Sequence, residues 1–404
     1  MLATSALYGK MSPLQLPFAS IVEEYKAGKV RTVMTLRYSK DMKIRENPPE
    51  VRTGRKWNAE SRVDDVLSQL EHSDIIGSVQ TNREGLGMKG FKPFSAKDRR
   101  EKRMAVVNEI RRTENEKRYV NLVQNSVQGQ CLQWEAFVME RKISWKEIWA
   151  WEAARTSFLI KSTYDVLPSP VNLNRWKQSQ NANCKCGERG TMKHILSHCP
   201  MGLNRRTWWH NQVLKVIGKN LKAKLNEINE GKRPKIEEQE EISFVKEGVE
   251  VPAKNKVLKK IDDKWLGNWK IDVDLNTLMV FPLIPTSQRP DIVVWSEERR
   301  MAIVMELTVS WEDNIKRAEI RKDVRYRDLI ENAGENWDVE YYHIGIGARG
   351  FIERSFFQLL TNRFRFSKNE GRKTIKEIQE AVEKASFWLW LKRDDPNWNE
   401  SQSK

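Results

Sequence analysis

Several things are scarce in this chain of 404 residues. No run of about 18 apolar residues occurs, so no membrane-crossing helix is expected. The opening MLATSALYGKMSPLQLPF has no sustained apolar core after a basic start, so no secretory signal is expected in it. Cysteine is rare: four residues do not suggest a disulfide framework. Gly85, Gly87 and Gly90 mark a break but form no phosphate-loop pattern. Acidic residues are outnumbered, with 55 Asp and Glu against 71 Lys and Arg, which leaves a formal net charge of +16. That excess favours an anionic partner, most commonly nucleic acid, with an anionic membrane surface as the alternative. Tryptophan, by contrast, is plentiful: sixteen residues argue against wholesale disorder, because disordered chains are poor in aromatics.

The length allows two or three domains. Residues 1–90 carry the weakest pattern; Val30 to Arg37 reads as a strand or a helix start, and Trp57 to Ser73 as an amphipathic helix. Residues 91–180 read as a basic, aromatic-rich helical region. Ser95 to Glu140 is expected as one long helix or two, and Ile143 to Tyr164 as another segment, ended by Pro168 and Pro170. Lys97 to Arg118 holds nine Lys or Arg against five Asp or Glu, which fits either a solvated face or a phosphate-contacting helix. Trp145, Trp149, Trp151, Phe158 and Tyr164 read mostly as core, and Cys131 as a small packing residue. Residues 219–263 are dense in Lys and Glu and read as a linker or exposed helix at a domain boundary.

Between these regions, over residues 181–218, lie a compact cluster and a following helix. Cys184 and Cys186 are separated by one residue, seven residues lead on to His194, and four more to Cys199. Thiolates and imidazole are the ligands zinc prefers, four of them in a closed structural site. Lys193 to His198 reads as one helical turn that returns His194 and Cys199 to the two sulfurs. His198 is a rival ligand, four residues along the same face. Lys185, Arg189, Lys193, Arg205 and Arg206, with Trp208 and Trp209, supply cations and stacking surfaces that fit nucleic-acid contact, with plain core packing as the alternative for the two tryptophans.

The last region, 264–395, contains two short apolar runs, Ile292 to Val294 and Met301 to Met305, around a polar stretch. This reads as a β-hairpin. A turn centred between Glu298 and Arg299 pairs residues whose numbers sum to 597, which puts Asp291 opposite Glu306. Directly paired residues share a face, with Cβ atoms about 4.5–5.5 Å apart. Two carboxylates so placed repel unless a cation lies between them, and a hard ion such as magnesium accepts their oxygens. An ordinary hairpin with two exposed end charges is the plainer alternative. On the helix that follows, with Ser310 as its expected cap, Ile315, Ala318, Tyr326, Leu329 and Ala333 share one face, and Lys322 falls in the middle of it. Lys322 therefore either meets the carboxylates or snorkels outward. Trp269 to Phe281 and Val339 to Ile346 have strand character, GARGF (residues 347–351) is a tight turn, and Ile352 to Arg363 and Thr374 to Leu391 are helices. The expected fold is α+β and multidomain: a mostly helical N-terminal half with a small zinc knuckle, then an α/β nuclease-like domain. An Asp and a Glu followed by a lysine is the metal chemistry of phosphodiester cleavage.

With these motifs in order, the chain resembles the C-terminal part of a non-long-terminal-repeat retrotransposon polyprotein of the type that carries a restriction-like endonuclease. Cys184, Cys186, His194 and Cys199 match that family's knuckle. Arg289, Pro290 and Asp291 match its basic-Pro-Asp motif, and Glu306 within ELTVSWED its second carboxylate. Lys322 with Arg325 and Tyr326 matches the lysine and basic-Tyr pair, and GARGF, carrying Arg349, a later motif. RTVMTLRYSKD and EIWAWEAARTSFLIKSTYDVLPSP extend the similarity from about residue 28 onward. The resemblance implies a PD-(D/E)XK domain that nicks target DNA for target-primed reverse transcription, in the nucleus. Asp291, Glu306 and Lys322 would be catalytic, magnesium would be held by Asp291 and Glu306, and zinc would be structural. DNA or RNA contacts would come from Arg289, Arg325, Tyr326, Arg349, Lys185 and Lys193. A truncated or domesticated nucleic-acid-binding protein without cleavage is the alternative. The polymerase palm of the family is not in this chain, so no reverse transcriptase activity is expected of it, and a polymerase would belong to another chain. Thr308 stands where an ordinary PD-(D/E)XK enzyme has its lysine; this family places that lysine on the next helix, which agrees with Lys322.

Overall fold

The structure, a computed structural model, describes residues 2–81, 93–231, 268–275, 289–333 and 337–395. Its N-terminal part is a helical bundle of α1 (Ile21–Arg37), α2 (Ala59–Thr81) and α3 (Arg99–Val123). The stretch Val30 to Arg37 is thus the end of a helix. Asn58 opens α2 by accepting the Glu60 and Ser61 N–H groups, and Asp98 with Glu101 forms a capping box on α3. Val30, Val33 and Met34 pack on Val63, Val66, Val107 and Ile110 to close the bundle. The C-terminal half of the basic run on α3 is answered from within: Arg111 pairs with Glu23 and Glu24, Arg118 with Glu23, and Arg112 with Glu109 and Glu116. For these arginines this favours the solvated, packed-helix reading over phosphate contact.

The aromatic segment after it is broken in two. A short helix, Trp145–Ala150, is followed by extended backbone at Trp151 and then by α4 (Ala153–Thr163). Phe158 and Tyr164 are buried, as expected, but Trp145 and Trp149 lie outside the core at 49% and 81% exposure. Cys131 is buried, and burial pushes its thiol up to about 12, which suits an inert packing residue.

Helix α5 (Leu203–Asn229) corrects the boundary expected at residue 219. Leu221, Leu225 and Ile228 are buried in one continuous core with the sheet, so 219–229 is neither linker nor exposed helix. The apolar residues within this Lys- and Asn-rich stretch recur at helical spacing, and packing on the sheet overrides its polar composition. Residues 232–263 of the expected linker lie outside the described residues, as does 276–281 of the strand expected from Trp269 to Phe281.

The sheet has four strands in the order β1 (Lys270–Val273), β2 (Ile292–Ser296), β3 (Met301–Ser310) and β4 (Asp338–Gly347). The first two pairings are antiparallel and β3–β4 is parallel. In the β2–β3 hairpin Ile292 pairs with Met305 and Val294 with Ile303, the register expected from the turn position. Alternate residues face opposite layers. Ile292, Val294, Ile303 and Met305 join the core under α5 and α7 (Lys368–Leu391). Val293, Trp295, Ala302 and Val304 meet Tyr326 of α6 (Ile315–Ala333) on the other face. A short 3-10 turn, Glu312–Asn314, precedes α6, and the Ser310 hydroxyl bonds to the Trp311 carbonyl rather than capping the helix. The architecture is a mixed α+β fold with a mostly helical N-terminal half.

Candidate active site and metal centre

The hairpin delivers Asp291 and Glu306 to one place. The Asp291 N–H points to Glu306 Oε2 at 3.3 Å, and Asp291 Oδ2 accepts the Leu307 N–H at 2.7 Å. Both carboxylates are thereby fixed by backbone at the mouth of the β2–β3 pair. Helix α6 crosses this face and sends Lys322 to Glu306 Oε1 in a close ion pair. One turn on, the Tyr326 hydroxyl donates to Glu306 Oε2 at 2.8 Å, with the Arg289 carbonyl 3.1 Å away. Lys322 therefore meets the carboxylates and does not snorkel away. Its side chain keeps 28% exposure, so the ion pair has an open flank.

Burial first, and the neighbouring Asp291 charge second, raise the Glu306 carboxyl above its ordinary value; Lys322 and Tyr326 pull the other way. Burial and the Glu306 charge raise the Tyr326 phenol, which stays protonated and able to donate. Reading the sequence missed one member of the group. His210 of α5 reaches across from the opposite layer, with Nε2 3.5 Å from Asp291 Oδ2 and 3.4 Å from the Leu307 carbonyl. Burial opposes its protonation, but the hydrogen bond and charge of Asp291 outweigh it and raise the imidazole above its ordinary value. The available signal was a histidine one residue after buried Trp209, on a helix whose Val213, Leu214 and Ile217 all face the core.

The oxygen donors of Asp291 and Glu306 suit a hard cation. Their number is short, however: no third His, Cys, Asp or Glu joins them as a metal-holding group among the described residues. The Glu306 oxygens also already accept from Lys322, Tyr326 and Asp291. An ion here would need waters or substrate oxygens to complete its shell.

Two of the residues expected on a nucleic-acid surface are interior instead. Tyr326 is fully buried, because its ring stacks on Tyr341 at 5.2 Å and its hydroxyl is committed to Glu306. Arg349 is 4% exposed and pairs with fully buried Glu312 at 2.7 Å. Its guanidinium lies over Trp311 at 4.0 Å and Trp134 at 4.7 Å. Gly347 is required beside it, since a Cβ there would collide with the Glu312 carboxylate. Arg349 is a packing device and not a phosphate contact. Of the others, Arg289 is half-exposed and pairs with Asp274 at 2.7 Å, and Arg325 is exposed above the Tyr326 ring. Both stand at the rim of the carboxylate site.

The second centre is local. Asn183 bridges Arg189, Gly187 takes a positive φ of 92°, and Cys184 N–H bonds to the Glu188 carbonyl at 2.7 Å. This tight turn aims two sulfurs the same way, and only glycine adopts that φ without cost. Thr191 Oγ1 accepts the His194 N–H, which starts the turn His194–His198 and returns Cys199. Cys184 Sγ and Cys199 Sγ are 3.8 Å apart, and Cys186 Sγ is 3.1 Å from His194 Nε2. All four ligand atoms lie within 4.8 Å of one another, so this Cys3His cluster can hold a metal such as zinc. Burial lowers the His194 imidazole, favouring the neutral form a metal binds. His198 is exposed and turned to Lys193 and Asn314, which removes it as a rival. Lys185 pairs with Asp394, and Lys193 reaches Asn314 just ahead of α6.

The fold and these two centres define an α+β protein with a metal-competent Cys3His cluster and a carboxylate pair capped by a lysine. No family model matches the chain, and a search of curated proteins finds no match to it.

Proposed function

We propose that the chain is a metal-dependent DNA endonuclease module of the retrotransposon type its motifs resemble, with a PD-(D/E)XK-like centre at Asp291, Glu306 and Lys322. The observation that carries this reading is their convergence: residues 15 and 16 positions apart meet within hydrogen-bonding reach at a strand mouth. Cys184, Cys186, His194 and Cys199 would hold structural zinc, and Asp291 with Glu306 a catalytic magnesium. Such an ion supplies charge that polarises a phosphate and acidifies a bound water. Lys322, beside Glu306 and open to solvent on one flank, would orient an attacking water or offset the charge added to the phosphate. Tyr326 and His210 act as positioning residues for Glu306 and Asp291. Arg289 and Arg325 at the rim, with Lys185 and Lys193 beside the knuckle, contact backbone phosphates of DNA or RNA. Nicking of this kind would prime reverse transcription by a polymerase on another chain, in the nucleus.

The test is nicking of supercoiled plasmid by zinc-loaded protein with magnesium. Wild type should nick, and Asp291→Ala should nick roughly 10²–10³-fold more slowly, the scale of losing one catalytic electrostatic group. Equal rates would sink the site. A second reading, nucleic-acid binding without cleavage, is favoured by the complete engagement of the Glu306 oxygens. It would prevail if DNA binding with a steep salt dependence persists while no divalent metal supports nicking.

A further inference from the structure

We propose a further divalent-cation site, separate from the Asp291–Glu306 pair and from the Cys3His cluster, formed by Glu319 of α6, His343 of β4 and Glu353. One ligand atom from each of the three lies within 4.8 Å of the others. The His343 side chain is 3% exposed and Glu353 1% exposed. Burying an imidazole and a carboxylate is costly unless their polar atoms are answered. Yet neither ring nitrogen of His343 makes a well-formed hydrogen bond, and its Nδ1 stands 3.5 Å from Glu353 Oε2. The backbone makes room for this cluster. Gly345, two residues past His343 on the same face, lies beneath the Glu353 carboxylate, where a Cβ would collide with it. Thr308, paired with Gly345 across β3–β4, adds a buried hydroxyl that has no hydrogen-bond partner.

A cation already marks the spot. The Lys316 ammonium lies 2.8 Å from Glu353 Oε1 and 2.9 Å from Glu319 Oε2. Its side chain is 50% exposed on a flexible stem, so it can retreat to solvent when a better cation arrives. One imidazole and two carboxylates make a mixed nitrogen–oxygen set, which suits manganese, ferrous iron or zinc better than magnesium. Water would fill the remaining positions. His343 pairs with Glu306 in the parallel register, so this site is one strand over from the carboxylate pair, about 4.8 Å between backbones. The site does not depend on the nuclease reading: cation binding here stands or falls without any cleavage.

The experiment is a manganese titration followed by electron paramagnetic resonance, on Asp291→Ala protein carrying one zinc per chain and freed of excess zinc, so that neither the carboxylate pair nor zinc competes. One manganese ion per chain should bind. Glu353→Gln and Glu319→Gln, both near-isosteric, should each weaken it by about tenfold or more. Lys316→Ala should tighten it, because the resident ammonium no longer competes; a merely structural cluster would not respond in that direction. Anomalous scattering from manganese should place the ion between His343 and Glu353. Absence of bound manganese at millimolar concentration would overturn the proposal, as would binding that neither carboxamide alters. In either case Lys316 is the permanent counterion of the cluster.

Discussion

Glu306 and Glu312 stand on one stretch of chain, each buried by the fold and each met by a cation from further along the sequence. Burial pushes both carboxyls above their ordinary range. From there they diverge. Arg349 pulls Glu312 back, with its side chain and its own backbone N–H on the two oxygens. Asp291 pushes Glu306 further up, and Lys322 answers with a single ammonium that keeps an open flank. The first pair is saturated and sealed; the second is crowded and accessible. A carboxylate–cation pair thus holds a turn in place in one case and leaves a cation partly open to solvent in the other. What separates them is a second carboxylate and a path to solvent.

The largest effect should come from the sealed pair. Arg349→Ala leaves Glu312 buried without its partner and should cost about 3–5 kcal/mol of stability. Denaturant unfolding measures it; a loss under about 1 kcal/mol, of the size of a surface pair, would erase the distinction. Next is the open pair. Lys322→Ala should slow plasmid nicking by about 10²-fold, some 2.7 kcal/mol, while destabilising the fold less than Arg349→Ala does. If the two substitutions cost equal stability and nicking is untouched, Lys322 is architecture like Arg349. The smallest effect concerns His210, whose folded imidazole titrates above its ordinary value of 6.5. A raised folded value means that its contribution, about 0.5–1 kcal/mol for a partly exposed pair, is complete below that pH and is lost as pH climbs through the folded value. His210→Gln, studied without divalent metal, should flatten the decline of stability on the alkaline side; an unchanged profile would remove His210 from the Asp291 environment.

The two centres were legible to different degrees for a physical reason. The Cys3His cluster is written in sixteen consecutive residues, and its geometry follows from one tight turn and one helical turn. The hairpin register follows from where its polar stretch lies, and Lys322 from the helical period, so Asp291, Glu306 and Lys322 could be brought together on paper. His210 could not, because nothing local relates α5 to the hairpin; only the packing of Trp209 and Val213 on the sheet does. Arg349 was misplaced for the converse reason. A basic residue in a glycine turn looks exposed until Glu312, Trp134 and Trp311 close around it. Composition likewise misled at 219–229, where Leu221, Leu225 and Ile228 at helical spacing outweigh the surrounding lysines.

Helix α5 starts just past Cys199, whose carbonyl accepts from Arg206, and carries His210 to Asp291 within its first turns before running on beneath the sheet. At 1.5 Å per residue, its start and His210 are separated by about 10 Å of rigid helix. On the proposed reading, the part that grips and the part that cuts are two marks on one ruler. The offset between the bound stretch of nucleic acid and the broken bond would then be set by helix length, and not by a tether of variable reach. Lengthening α5 ahead of His210 by one helical turn should move the cut along the strand and leave its chemistry as it was.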